Sequence, residues 1–155
     1  MMNNHEIKDY SVLTQEDLVG VFDSVFGMLS SAILGITAIS LIVGGIGIMN
    51  IMLVSVTEHT REIGLRKAVG ATAGSILIQF LTEAIVLSFI GGIIGYALSV
   101  LAGIIATNFI GFSIPITLNA ILLAFGVSIG VGVVFGVTPA IRAAKKHPID
   151  ALRYE

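Results

Sequence analysis

With 55% hydrophobic and 12% charged residues and a mean hydropathy of +1.01, this 155-residue chain is far from the ~25% charged residues of a soluble domain. Its apolar residues fall in blocks longer than the ~20 needed to span a bilayer, which identifies an integral membrane protein. Cysteine is absent, which excludes disulfides, thiolate metal sites and cysteine catalysis. The net charge of −2 says nothing about partners, because the charges are segregated along the chain.

Residues 5–13 contain a short alternating run too short to fold alone. The opening Met-Met-Asn-Asn-His-Glu lacks the basic, then apolar, pattern of a signal peptide. Thr14-Gln-Glu-Asp17 has the spacing of a capping box, with Asp17 suited to the positive helix N-terminus. No proline follows until Pro115, so a helix opening at Gln15 is predicted to run to about Thr57, ~64 Å at 1.5 Å per residue. Hydrocarbon is only ~30 Å thick. About half of this helix is therefore expected outside the membrane, as a stalk over roughly 15–28 carrying Asp17 and Asp23.

Val56 to Ala71 is the densely charged stretch between two apolar blocks. Glu58, Arg61, Glu62, Arg66 and Lys67 crowd together there, whereas Ser24–Thr57 carries no charge. Such an island must lie in water at the membrane surface. It reads as a short helix, with Thr60 as its cap, Glu62 and Arg66 as an i, i+4 pair, and Gly70 as its C-terminal stop. Ile63, Leu65 and Val69 are left as apolar residues among charges, a pattern suited to a knob that docks on a partner. A solvated loop anchored at the interface is the alternative.

The second span is predicted over about 75–108. Ala84–Ile141 holds no charge, and is too long for one helix, so a turn is expected at 109–118, where Gly111 and Pro115 lie. A third span covers 119–138. Thr138-Pro139 then suggests a fresh N-cap with proline at the first helical position, opening a short basic helix to Lys146 that His147-Pro148 ends. Glu83 reads as an interfacial carboxylate, with a proton relay as the alternative. Asn50 reads as an interhelical hydrogen bond. His5, His59 and His147 are scattered, and no metal or catalytic constellation is predicted.

Glycines recur inside the spans: Gly44, Gly45 and Gly47 in the first, Gly91, Gly92 and Gly95 in the second, and Gly126, Gly130, Gly132 and Gly136 in the third. Gly44, Gly45, Gly47, Gly91, Gly95, Gly126 and Gly130 are the predicted sites of close helix packing, since small residues let backbones approach in lipid. No GxxxxGK[ST] occurs, so the chain is not expected to hydrolyse ATP. Seven of the eight Lys/Arg residues lie in the island (Arg61, Arg66, Lys67) or the tail (Arg142, Lys145, Lys146, Arg153). The positive-inside rule then puts both in the cytoplasm, with the stalk and the 109–118 turn outside.

Leu41–Glu58 (LIVGGIGIMNIMLVSVTE), Thr60–Ala71 (TREIGLRKAVGA) and the ending Pro148–Glu155 (PIDALRYE) closely resemble the C-terminal half of MacB/FtsX-type ABC transporter permeases. The resemblance covers nearly the whole chain. It implies an all-α integral membrane fold of three transmembrane helices, the first extended as an extracytoplasmic stalk, plus a short cytoplasmic coupling helix. In this division 1–14 is a remnant of an extracytoplasmic domain, 15–57 the stalk and first membrane helix, 58–74 the coupling segment and 139–155 a cytoplasmic tail. A further helix and an extracytoplasmic domain are expected upstream.

The resemblance also implies a non-catalytic subunit with no cofactor of its own, ATP and magnesium being bound by a partner ATP-binding cassette subunit. Arg61, Glu62, Ile63, Leu65, Arg66 and Lys67 would contact that cassette. A second permease copy and membrane lipid are the other expected partners, and nucleic acid is not. The implied function is mechanotransmission for export of drugs, peptides or lipidic substrates from the cytoplasmic (inner) cell membrane. The alternative is an FtsX-like signalling transducer that controls cell-wall hydrolases or senses antibiotics.

Overall fold

The computed structural model describes residues 15–111 and 117–146. The predicted Thr14 cap, the 1–14 remnant, Pro115, and the tail from His147 onward lie outside the described residues. Four helices follow in order: α1 (Gln15–Glu58), α2 (Thr60–Ala68), α3 (Ala73–Ile110) and α4 (Leu118–Ala144). Three of them, α1, α3 and α4, are long and apolar enough to cross a membrane. The chain is an all-α, multi-pass membrane protein.

Residues 15–40 of α1 form one compact unit and residues 41–155 another. In the first, every residue is exposed, including Leu18, Phe22, Phe26 and Leu29. Four of its hydroxyls turn back onto their own helix: Ser24, Ser31, Thr37 and Ser40 donate to the carbonyls of Gly20, Gly27, Ile33 and Ile36. This i to i−4 bonding satisfies each hydroxyl without a second helix. Asp17 lies in the first turn of α1 and Asp23 is exposed two turns further on.

In the second unit, α3 and α4 pack antiparallel through a register of small residues. A Cβ built on Gly136 would collide with the Cβ of Ala84. One on Gly132 would lie 2.9 Å from the Ser88 Cβ and 3.0 Å from the Ile85 Cα, and one on Gly92 2.6 Å from the Ser128 Oγ. Ala84-x3-Ser88-x3-Gly92 on one helix thus meets Ser128-x3-Gly132-x3-Gly136 on the other, running in opposite directions. Ser88 and Ser128 each donate a hydroxyl hydrogen bond to the other's backbone carbonyl. Phe125 closes one side of this seam against Phe89 and Tyr96, with ring centroids 5.2 and 6.1 Å away.

The glycine expectation needs correcting on this point. Gly45 does meet a neighbour, since a Cβ there would enter the Phe135 ring. At Gly44, Gly47, Gly91, Gly95, Gly126 and Gly130 an added Cβ would meet nothing within 4 Å. A spacing of four marks the pair Gly126 and Gly130 and the pair Gly132 and Gly136 alike, and of the two only the second lies on the packed face. The packed face mixes glycine with alanine and serine, and its phase is set by which side of each helix turns inward. Asn50 is likewise exposed and makes no side-chain hydrogen bond among the described residues.

Beyond the small-residue seam lies the apolar core. Met52 and Val56 at the end of α1, Ile63 on α2, Ile76, Phe80 and Ala84 at the start of α3, and Ala140 and Ala143 at the end of α4 form one buried cluster. Pro139 is completely buried beside it. Here the predicted helix break at Thr138-Pro139 is corrected: α4 runs through Pro139 to Ala144. Proline removes a single backbone hydrogen bond, which weakens a helix interior but does not forbid it where the surroundings fix the chain. Burial of Pro139, Ala140, Ala143 and Ala144 supplies that constraint.

Candidate functional site

The charged island folds as the nine-residue α2, almost continuous with α1, because the His59 amide donates to the Ser55 carbonyl and the Ile63 amide to that of His59. Thr60 is not the cap. His59 holds the N-cap position without a side-chain capping bond, and the Thr60 hydroxyl, buried, donates 2.9 Å back to the Val56 carbonyl. Gly70 ends the helix as predicted. Its φ of +108° is a backbone region open to glycine. The Gly70 and Ala71 amides donate to the carbonyls of Lys67 and Arg66, the double closure of a Schellman motif.

Two faces result. Thr60, Ile63 and Gly64 are buried and Lys67 is half-buried, at the i, i+3, i+4, i+7 spacing of one helical face. Arg61, Leu65, Ala68 and Val69 are exposed, with Leu65 at 57% and Val69 at 81% of their surface. Ile63, expected as part of a docking knob, is fully buried instead. Burial of its side chain in the cluster of Met52, Val56, Ile76 and Phe80 is worth about 2 kcal/mol or more, which no exposed position offers. Of the three apolar residues on the island, Leu65 and Val69 remain available at the surface.

A polar band runs along one edge of α2. The Glu62 carboxylate accepts from Arg66 at 2.6 Å and pairs with the His59 Nδ1 at 2.9 Å. The hydrogen bond from His59 and then the Arg66 charge hold the Glu62 carboxyl below the usual carboxylate range. Arg66 also donates to the Gln79 Oε1 at 2.8 Å, linking α2 to α3. Exposed ion pairs of this kind contribute little to stability and act chiefly to orient side chains.

Lys67 turns the other way. Its Nζ donates to the backbone carbonyls of Ala144 and Lys146 at the end of α4, the latter at 2.8 Å. Sequence reading grouped Lys67 with the docking residues, and nothing local marks this partner, which lies 77 residues away. Thr72 is a second feature absent from the expectations above. It caps α3 by accepting from the Ser75 amide at 3.1 Å, and the Ser75 hydroxyl returns a bond to the Thr72 carbonyl. The Thr-x-x-Ser spacing was the available signal. Glu83 is exposed on α3, beside the buried Ala84.

The arrangement is a surface. A rigidly capped helix presents two large apolar side chains and the Arg61 cation outward, while its opposite face is built into the core. The chain matches the family model described as FtsX-like permease C-terminal over residues 34–148. It is 50% identical over 94% of its length to the macrolide export ATP-binding/permease protein MacB of Bdellovibrio bacteriovorus, covering 22% of that protein. It is 49% identical over 97% of its length to the MacB protein of Syntrophobacter fumaroxidans, covering 21% of it. Against the uncharacterized ABC transporter permease YknZ of Bacillus subtilis it is 45% identical over 99% of its length, covering 39%. The chain thus spans between about a fifth and two-fifths of the length of these relatives.

Proposed function

This chain belongs to the FtsX-like permease family, and from that premise we propose that it is the motor-coupling portion of a MacB-type ABC transporter permease. In this reading α2 lies in the cytoplasm and receives an ATP-binding cassette protein on Arg61, Leu65 and Val69. The cassette hydrolyses ATP, and its closure displaces α2 and with it the membrane helices, which carry the motion to the other side of an inner membrane. The stalk over residues 15–28 and a second permease copy complete the path of that motion. The names of the Bdellovibrio and Syntrophobacter relatives specify macrolide export, which favours export over signalling as the outcome.

The single observation that carries the reading is the division of α2 into a buried face and a face exposing Leu65 and Val69. An exposed apolar pair on a capped nine-residue helix is a poor use of surface unless a partner covers it. Single cysteines at Leu65 and Val69, cross-linked in membranes to the cassette protein, test it. Adducts at both, with yields that change when ATP is added, are expected, with none from Leu118 at the start of α4. Absence of adducts from an inserted, folded permease would sink the docking assignment.

A further inference from the structure

Resting on the docking reading above, we infer that Lys67 is a positioning residue: it ties the end of α4 to α2, so that one displaced helix moves all three spans. The backbone already joins α2 to α1 through His59, and to α3 through the short link Val69–Thr72. Arg66 reinforces the second junction by its bond to Gln79. Among the described residues no short backbone link of this kind joins α2 to the end of α4, which is remote in sequence. Its attachments to α2 are the apolar cluster around Ile63 and the Lys67 ammonium.

The chemistry of that attachment is specific. The last carbonyls of a helix have no intrahelical donor and carry the negative end of its dipole. The Ala144 carbonyl is such a group, the Lys146 carbonyl follows two residues beyond the helix, and Lys67 supplies a cation to both. Among the described residues Lys67 has no carboxylate partner, because both ion pairs involve Glu62. Its half-burial excludes much of the water that would otherwise compete for these carbonyls. An apolar contact alone permits sliding, whereas a charged donor bonded to two carbonyls fixes register.

Two variants separate the tie from simple packing. Lys67→Met keeps the stem and removes the charge, and Lys67→Arg keeps the charge. In the permease alone, in lipid nanodiscs, amide exchange at Ala143–Lys146 should quicken roughly tenfold in Lys67→Met and little in Lys67→Arg. Unchanged exchange in Lys67→Met would overturn the tie whether or not any cassette binds. In the permease–cassette complex, a fluorophore on Leu118→Cys reports the far end of α4. Its response to ATP with magnesium should persist with Lys67→Arg and be lost with Lys67→Met, while the cassette co-purifies with both. A response that survives in Lys67→Met would overturn transmission through Lys67. Failure of the cassette to co-purify with the unaltered permease counts against the docking reading instead, and the tie is then decided by amide exchange alone.

Discussion

Ser88 on α3 and Ser128 on α4 bind each other reciprocally, each hydroxyl donating to the other's backbone carbonyl, with the two Oγ atoms 3.5 Å apart. Each serine also rests where a side chain on the facing helix would be, Ser88 against Gly132 and Ser128 against Gly92. The hydroxyls are satisfied by backbone that only small residues allow them to reach. Ser88→Ala and Ser128→Ala each remove one hydroxyl donor and leave the facing backbone carbonyl in place, so each should cost about 0.5–1.5 kcal/mol and the two losses should nearly add. Unfolding from lipid–detergent mixtures measures both, and a serine whose replacement costs nothing would refute its bond.

The same seam predicts a sharp contrast among glycines. Gly132→Leu places atoms against the Ile85 Cα and the Ala84 carbonyl, backbone that cannot swing aside. A loss of about 1–3 kcal/mol is expected, with weakened α3–α4 contact. Gly130→Leu, two residues away, meets open space and should cost little within this chain beyond helix propensity. Equal destabilisation by the two would mean that the register described here is wrong.

Ile63 and Leu65 should separate stability from coupling. Ile63→Ala opens a void in the core cluster and is expected to cost about 2–5 kcal/mol. Leu65→Ala removes an exposed side chain and should change stability by less than about 0.5 kcal/mol, while weakening co-purification of the cassette. Thermal unfolding paired with a pull-down distinguishes the two.

Gly70 holds φ at +108°, and the Schellman closure of α2 depends on it. Gly70→Ala puts a Cβ in a left-handed conformation at about 1–2 kcal/mol. Earlier fraying of α2, read by amide exchange at Ala68–Ala71, is the expected consequence.

Acid should loosen the polar edge of α2. The Glu62 carboxyl lies below its ordinary range, because of its hydrogen bond with His59 and then the Arg66 charge. A depressed folded-state pKa stabilises the fold above the unfolded value, and that contribution is lost as pH falls through the folded one. Protection of the α2 amides should decline over this acidic window and not near neutrality as far as Glu62 is concerned. In Glu62→Gln the acidic decline should vanish. Glu62 is exposed at the surface, so the effect is local and diminishes with salt.

Features set within one helical turn or one apolar run were legible in the sequence by itself: the three spans, the charged helix between the first two, the Glu62–Arg66 pair, the Gly70 stop, and the motifs that carry the family resemblance. Hydropathy and i, i+4 spacing act over distances that the chain order already specifies. Tertiary structure decided which side of α2 turned inward, so that Ile63 is buried and Leu65 is not. It decided that Ala84, Ser88 and Gly92 meet Ser128, Gly132 and Gly136, while Gly126 and Gly130, the other glycine pair four apart on α4, meet no neighbour, and that α4 continues through Pro139. It also gave Lys67 its partners, 77 and 79 residues away. In helices that are apolar on almost every side, no amphipathic stripe marks the packing face. That face is chosen by the closest fit of two surfaces, a property of helix pairs that neither helix carries alone.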